Sequence, residues 1–195
     1  VTSDADSTTQ RGRPRDPETK RLILQATREL LLEVGFPRLS IEAVAARAGA
    51  GKATIYRWWQ TKGELVLEAA GDHVAIGQVP DTGDTRQDLL IAIQQLTKTF
   101  SDRLAGIVIF AVIANLDDDP NTALSFRNTR VNPWRQTAAE AIQRGIDRGD
   151  LPANTDVAFT LDVIVGTVFQ RTLVVPQPLT EGLDQNIIDL IAPTT

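Results

Sequence analysis

With 195 residues, 21.3 kDa, 42% apolar and 23% charged residues, the chain can build one large or two small globular domains, and wholesale disorder is excluded. It has no cysteine and one histidine, His73, which excludes disulfides, thiolate zinc sites, cysteine nucleophiles and multi-histidine metal sites. A net charge of −5 argues against a polyanionic partner only as a sum, because eleven basic residues face five acidic ones between Arg11 and Lys62, and nine face eighteen beyond it.

In chain order, Val1 to Gln10 are polar and lack the apolar core of a secretory signal. The longest apolar stretch, Leu104 to Ala114, is well short of the ~20 residues that span a bilayer, so no membrane association and a soluble, cytoplasmic location are expected. Residues 1–16 read as a flexible basic arm that ends in Arg11-Gly12-Arg13-Pro14-Arg15. Asp16 then Pro17 is an N-cap followed by proline at the first helical position. Ile23, Ala26, Leu30 and Val34 recur at helical spacing, with Leu24 and Leu31 widening the face, and Gly35 stops the helix.

Ser40 caps a short second helix with Ile41, Val44, Ala45 and Ala48 inward, closed by Gly49. A third spans about Lys52 to Trp59. Thr61-Lys62-Gly63-Glu64 is a capping box that starts a fourth helix, expected to reach about Gly77. Gly77 to Asp84 reads as a linker. Beyond it the period stays helical through Leu89, Ile93, Leu96 and Phe100, then Leu104 to Leu116, Pro120 to about Arg148, Asp156 to Val175 and Leu183 to Ile191. No stretch alternates with period two, so the fold class is all-α.

Two short helices flanking Ala48-Gly49-Ala50-Gly51 make a helix-turn-helix pattern. Ala45, Ala46 and Ala48 let the helices cross closely, and Gly49 lets the turn reverse. Ile55 and Trp59, four apart, face inward. Lys52, Ala53, Thr54, Tyr56 and Arg57 then face outward, towards bases and phosphates.

Residues 17–66 resemble the DNA-binding domain of the tetracycline-repressor (TetR) family of bacterial regulators. The likeness is carried by Gly35-Phe36, Leu39-Ser40-Ile41, Val44-Ala45, Ala48-Gly49, Thr54-Ile55-Tyr56-Arg57 and Thr61-Lys62-Gly63-Glu64-Leu65. It implies an N-terminal three-helix DNA-binding domain with its linking helix (residues 17–79), and a C-terminal helical ligand-binding and dimerisation domain (residues 80–195). The implied function is that of a homodimeric repressor that binds a palindromic double-stranded DNA operator and is released by a small-molecule effector, with no cofactor. The chain departs from the family pattern in three places. Ala50-Gly51 stand where valine and a hydroxyl residue are usual, so no phosphate contact is carried over to Gly51. Trp58-Trp59 replace tyrosine or histidine followed by phenylalanine, and Pro37 stiffens the loop before the second helix.

The resemblance gives Ser40, Arg47, Tyr56 and Lys62 to the DNA backbone. It puts Lys52, Ala53, Thr54 and Arg57 nearest the major groove, with the Trp58 indole against the sugar-phosphate chain. Structural roles stand beside these: Ser40 as a cap alone, Lys62 as a solvated first-turn residue, Tyr56 as an interior aromatic. The arm either enters a minor groove or only raises the local cation concentration.

Candidates for an enclosed ligand pocket are Phe100, Leu104, Ile107, Phe110, Asn115, Phe126, Arg130, Trp134 and Phe169. Plain core packing is the alternative for each aromatic, whereas a buried Arg130 or Asn115 needs a partner that a ligand could supply. By resemblance, the last two helices pair across a two-fold axis as a four-helix bundle. A helical enzyme is the rival class. Its one carboxylate cluster, Asp117-Asp118-Asp119, reads better as the start of the helix at Pro120, and a triad would have to use His73. A ligand-independent architectural DNA binder is the third reading.

Overall fold

The computed structural model describes residues 16–115, 118–175 and 182–193, and among these every regular element is helical. The N-terminal group is α1 (Pro17–Arg38), α2 (Ile41–Ala48), α3 (Lys52–Trp58) and α4 (Lys62–Ala70). It is followed by α5 (Thr85–Ser101), α6 (Arg103–Ala114), α7 (Pro120–Phe126), α8 (Asn132–Arg148), α9 (Val157–Phe169) and α10 (Leu183–Ile191). The basic arm from Arg11 to Arg15 lies outside the described residues, as does Asp117.

Local chemistry sets the boundaries. Asp16 caps α1, its Oδ1 accepting from the Glu18 N–H at 3.1 Å, with Pro17 in the first turn. At Gly35 the backbone turns to φ 73°, and Phe36 to Arg38 form one further turn before Leu39. Ser40 Oγ accepts from the Ala43 N–H at 3.2 Å to open α2, and Gly49 closes it. Both arms of the Thr61–Glu64 capping box are made. α4 is shorter than the sequence suggests. It stops at Ala70 because Gly71 leaves helical space, and a single 3₁₀ turn, Gly71–Val74, carries His73 to the Asp102 carboxylate at 2.9 Å.

One continuous core runs from Ile23 to Ala192. α6 is its axis, packing on α1 and α4 on one side and on α5 on the other. The stretch read as a linker is tied down. Thr82 donates its N–H and Oγ–H to the buried Asp88 at 3.0 and 2.7 Å, and Arg144 of α8 donates to the Pro80 carbonyl at 2.9 Å. α7 and α8 form one rod, joined without a break by a wide π turn, Arg127–Val131.

Candidate nucleic-acid interface and ligand cavity

On α3 and at its C-cap, Ile55 and Trp59 are buried while Lys52, Ala53, Tyr56 and Arg57 are exposed and Thr54 is half-buried. Tyr56 is 52% exposed, which removes the interior-aromatic alternative. The Trp59 indole N–H donates to Glu68 Oε2 at 2.7 Å, and Glu68 also pairs with Lys20 of α1 at 2.6 Å. One buried ring thus orients α3 against both α4 and α1. Lys52 Nζ lies 3.1 Å from Glu42 on α2. The Glu42 carboxyl sits below its ordinary range, chiefly through its own backbone N–H and then through Lys52. An exposed pair of this kind contributes little, so the ammonium can be transferred to another acceptor at small cost.

Three residues make intramolecular contacts that local sequence does not show. Arg47 grips Glu33 of α1 with both ends of its guanidinium, at 2.6 and 2.8 Å, locking α2 to α1 and holding the Glu33 carboxyl low. Lys62 is not a solvated first-turn residue. Its Nζ donates to the Phe36 and Leu39 carbonyls at 3.2 and 3.3 Å and stands 4.2 Å from the Phe36 ring centre, and burial pulls its pKa down. It therefore ties α4 to the turn between α1 and α2. Trp58 is half-buried, edge-to-face with Trp59 at 5.5 Å, and lines a cleft with Glu64 and Glu68 of α4, Ser125 of α7, and Thr129 and Arg130 of the π turn. Its indole packs towards the C-terminal helices, because the apolar ring finds cover there that the exposed side of α3 lacks.

Replacing Lys62 with alanine removes two charge-assisted hydrogen bonds. Because the group is only partly buried, a loss of about 1–2 kcal/mol is expected, read as a lower thermal midpoint before any DNA is added. An unchanged midpoint would return Lys62 to a purely DNA-facing role.

The joint between the two halves is tight. Asp119 caps α7 by accepting from the Thr122 N–H and Oγ–H at 3.0 and 2.7 Å, and Thr122 Oγ1 meets Thr61 Oγ1 at 3.3 Å. Asp119 is thus the expected helix-start residue. Burial raises its pKa, but hydrogen bonds from Thr122 and Thr61 outweigh this and leave it lowered. A Cβ on Gly63 would lie 2.7 Å from Asp119 Oδ2 and 2.8 Å from Thr122 Oγ1.

A second cavity, of about 230 Å3, lies among α5, α6, the π turn, α8 and α9. Its walls are Leu96 and Phe100, Ile109 and Ile113, Phe126, Val165 and Phe169, with Arg130, Trp134 and Arg135 supplying the nitrogen donors. Phe100 and Phe169 meet edge-to-face at 6.4 Å. Among the described residues no acidic side chain lines it.

Two family profiles match the chain: "Bacterial regulatory proteins, tetR family" over residues 23–69, and "Tetracyclin repressor-like, C-terminal domain" over residues 79–191. The second alone spans more than half of the sequence. The chain belongs to the TetR family. The HTH-type transcriptional regulator YdeS of Bacillus subtilis (strain 168) is 33% identical over 182 residues, covering 91% of this chain and 90% of its own. The crystal structure of the TetR family transcription regulator SCO0332 is 30% identical, with TM-score 0.63, over 91% of this chain and 99% of that one. AibR, solved in complex with isovaleryl coenzyme A and operator DNA, shares the fold at 17% identity and TM-score 0.66, over 91% of this chain and all of that one (100%). This TetR-family chain is accordingly a helix-turn-helix, DNA-binding transcriptional regulator.

Of the nine ligand candidates, this TetR-family fold brings Phe100, Phe126, Arg130, Trp134 and Phe169 to one cavity. The other four lie elsewhere. Leu104 is core, and Ile107 packs half-buried against it. Phe110 is 57% exposed. Asn115 donates to the Ala111 carbonyl at 2.7 Å and faces the joint beside Phe36, Lys62 and Gly63. α6 is apolar on nearly every face, so helical spacing gives it no phase. For that reason the sequence points to Phe110 where the structure places Ile109 and Ile113 on the cavity wall. Residues 109 and 113 are four apart and share a face, but so do other apolar pairs on α6, and local spacing does not single this one out.

Proposed function

We propose that the chain is a cytoplasmic repressor that binds a palindromic operator as a homodimer and leaves it when a small molecule enters the cavity between α5, α6, α8 and α9. In this reading residues 17–79 engage DNA, and residues 80–195 sense the molecule and dimerise. The observation that carries it is the exposed row Lys52, Ala53, Tyr56 and Arg57 beside half-buried Thr54, on a helix held rigidly from behind by Ile55 and Trp59. Lys52 and Arg57 are the base readers, with Ala53 and Thr54 beside them. Tyr56, and the Ser40 hydroxyl left over from capping, position the phosphates. Arg47 and Lys62 act by holding α2 and α4 in place. On α9 and α10, Phe159 and Leu190 are 66% and 73% exposed, apolar surface that a second copy would cover.

Selection of the full chain on random duplexes followed by anisotropy titration tests this. Binding should fall by about 10³–10⁵ between 50 and 200 mM salt, as expected for some 6–10 phosphate contacts. Tyr56→Phe should weaken all selected sites alike, whereas Lys52→Ala or Arg57→Ala should change which sites are preferred, by about 1–3 kcal/mol at the affected base pair. Enrichment of no sequence would leave an architectural DNA binder instead.

A further inference from the structure

The cavity contains a conflict in its polar groups. Trp134 is 2% exposed and lines the cavity, yet its indole Nε1 has no acceptor among the described residues. The same holds for Arg130 Nε, likewise buried and unpartnered. The two residues are four apart where the π turn passes into α8. Native proteins seldom leave buried donors unmet, because each costs desolvation with nothing in return. Arg130 is half-buried as a whole, so this cost falls on its enclosed Nε.

Among the described residues no carboxylate is paired with Arg130. The other arginine on the cavity wall, Arg135, pairs with Asp162 at 3.1 Å. Arg130 also borders the cleft that holds Glu64 and Glu68. Glu64 is engaged with the Gln60 and Thr61 N–H groups, and Glu68 with Trp59 and Lys20. The remaining walls are mostly hydrocarbon and aromatic rings. The missing group is therefore an acceptor, its charge negative, and the body attached to it apolar.

Volume narrows the choice. An apolar cavity of about 150 Å3 holds benzene; one of about 230 Å3 holds a ring or short branched chain together with an acid group. We propose that the cavity binds a small monocarboxylic acid with a compact apolar or aromatic body, its carboxylate accepting from Arg130 Nε and Trp134 Nε1. This rests on the cavity being the effector site. It adds the chemical class of the effector, and it places the effector's charge on Arg130, which separates the cavity from the cleft containing Trp58 and Trp59.

Calorimetry on the full chain without DNA tests the class directly, with 3-phenylpropanoate and hexanoate as acids, 3-phenylpropanamide as the neutral analogue and 3-phenylpropylamine as the cation. The acids should bind, the amide about tenfold more weakly, and the amine not at all. Arg130→Gln should weaken the acids by about 10- to 100-fold and the amide much less. Trp134→Phe, which keeps the ring and loses the N–H, should weaken acid and amide alike by about three- to tenfold. If a variant does not fold, the order acid, amide, amine on the unaltered chain still decides.

Amine or amide binding as tight as the acid overturns the proposal. So does acid affinity unchanged in a folded Arg130→Gln, or no binding of either acid at about 5 mM. Operator binding is read separately. Acids that bind in the cavity without altering DNA affinity uphold the ligand class and remove the effector reading. A neutral compound that releases DNA where acids do not removes the class and leaves the effector reading in place.

Discussion

Trp59→Ala is expected to destabilise the protein by about 3–5 kcal/mol, the range for emptying a large aromatic site in a packed core. The ring is buried against α1 and α4, and its N–H is the donor that holds Glu68. Deleting it leaves a cavity beneath the recognition helix and gives up the edge-to-face contact with Trp58. A urea titration should show the midpoint falling with little change in slope, and operator affinity should fall with it because α3 loses its backing. Trp59→Phe keeps most of the volume and loses only the hydrogen bond, so its cost should be clearly smaller. Equal stability of Trp59→Ala and the unaltered chain would mean that α3 is held by something other than this ring.

Gly63→Ala is the second large effect. Glycine is needed here for space, because α4 approaches the start of α7 closely enough for a single methyl to collide with Asp119 and both Thr122 side-chain branches. These neighbours cannot easily yield, since Asp119 and Thr122 hold each other at 2.7 Å and Thr122 reaches Thr61. Overpacking of this kind costs about 1–3 kcal/mol. The expected result is a lower thermal midpoint together with altered coupling between cavity and DNA, because α7, the π turn and α8 are one rod that touches α4 near its start and lines the cavity from Phe126 to Arg135. Thr122→Ala removes the two methyl-clashing atoms and frees Asp119, so the double variant should recover part of the loss. Strictly additive losses in the double-mutant cycle would show that the methyl is accommodated elsewhere.

Much of the DNA-facing region was legible without coordinates, since helix caps and helix faces obey rules that reach only three or four residues. Asp16, Ser40, Gly49 and the Thr61–Glu64 box stand where those rules put them, and so does the division of α3 into a buried Ile55–Trp59 side and an exposed Lys52–Arg57 side. α4 ends early for an equally local reason, as Gly71 takes a positive φ where a continued helix had been expected. The hydrogen bonds of Lys62 are not legible locally because its acceptors lie more than twenty residues upstream.

The division between the two kinds of information follows from range. From the order of residues alone came the helical class, the short recognition helix after the Gly49 turn and the concentration of positive charge near it, all consequences of short-range sterics, hydrogen bonding and counting. Only tertiary packing decided that Arg47 and Lys62 brace the helices, that Trp58 turns inward, that Ile109 rather than Phe110 borders the cavity, and that Arg130 and Trp134 reach it without acceptors. Those outcomes depend on how apolar helices rotate against distant neighbours, and a helix that is greasy on every side carries no mark of which side will be covered.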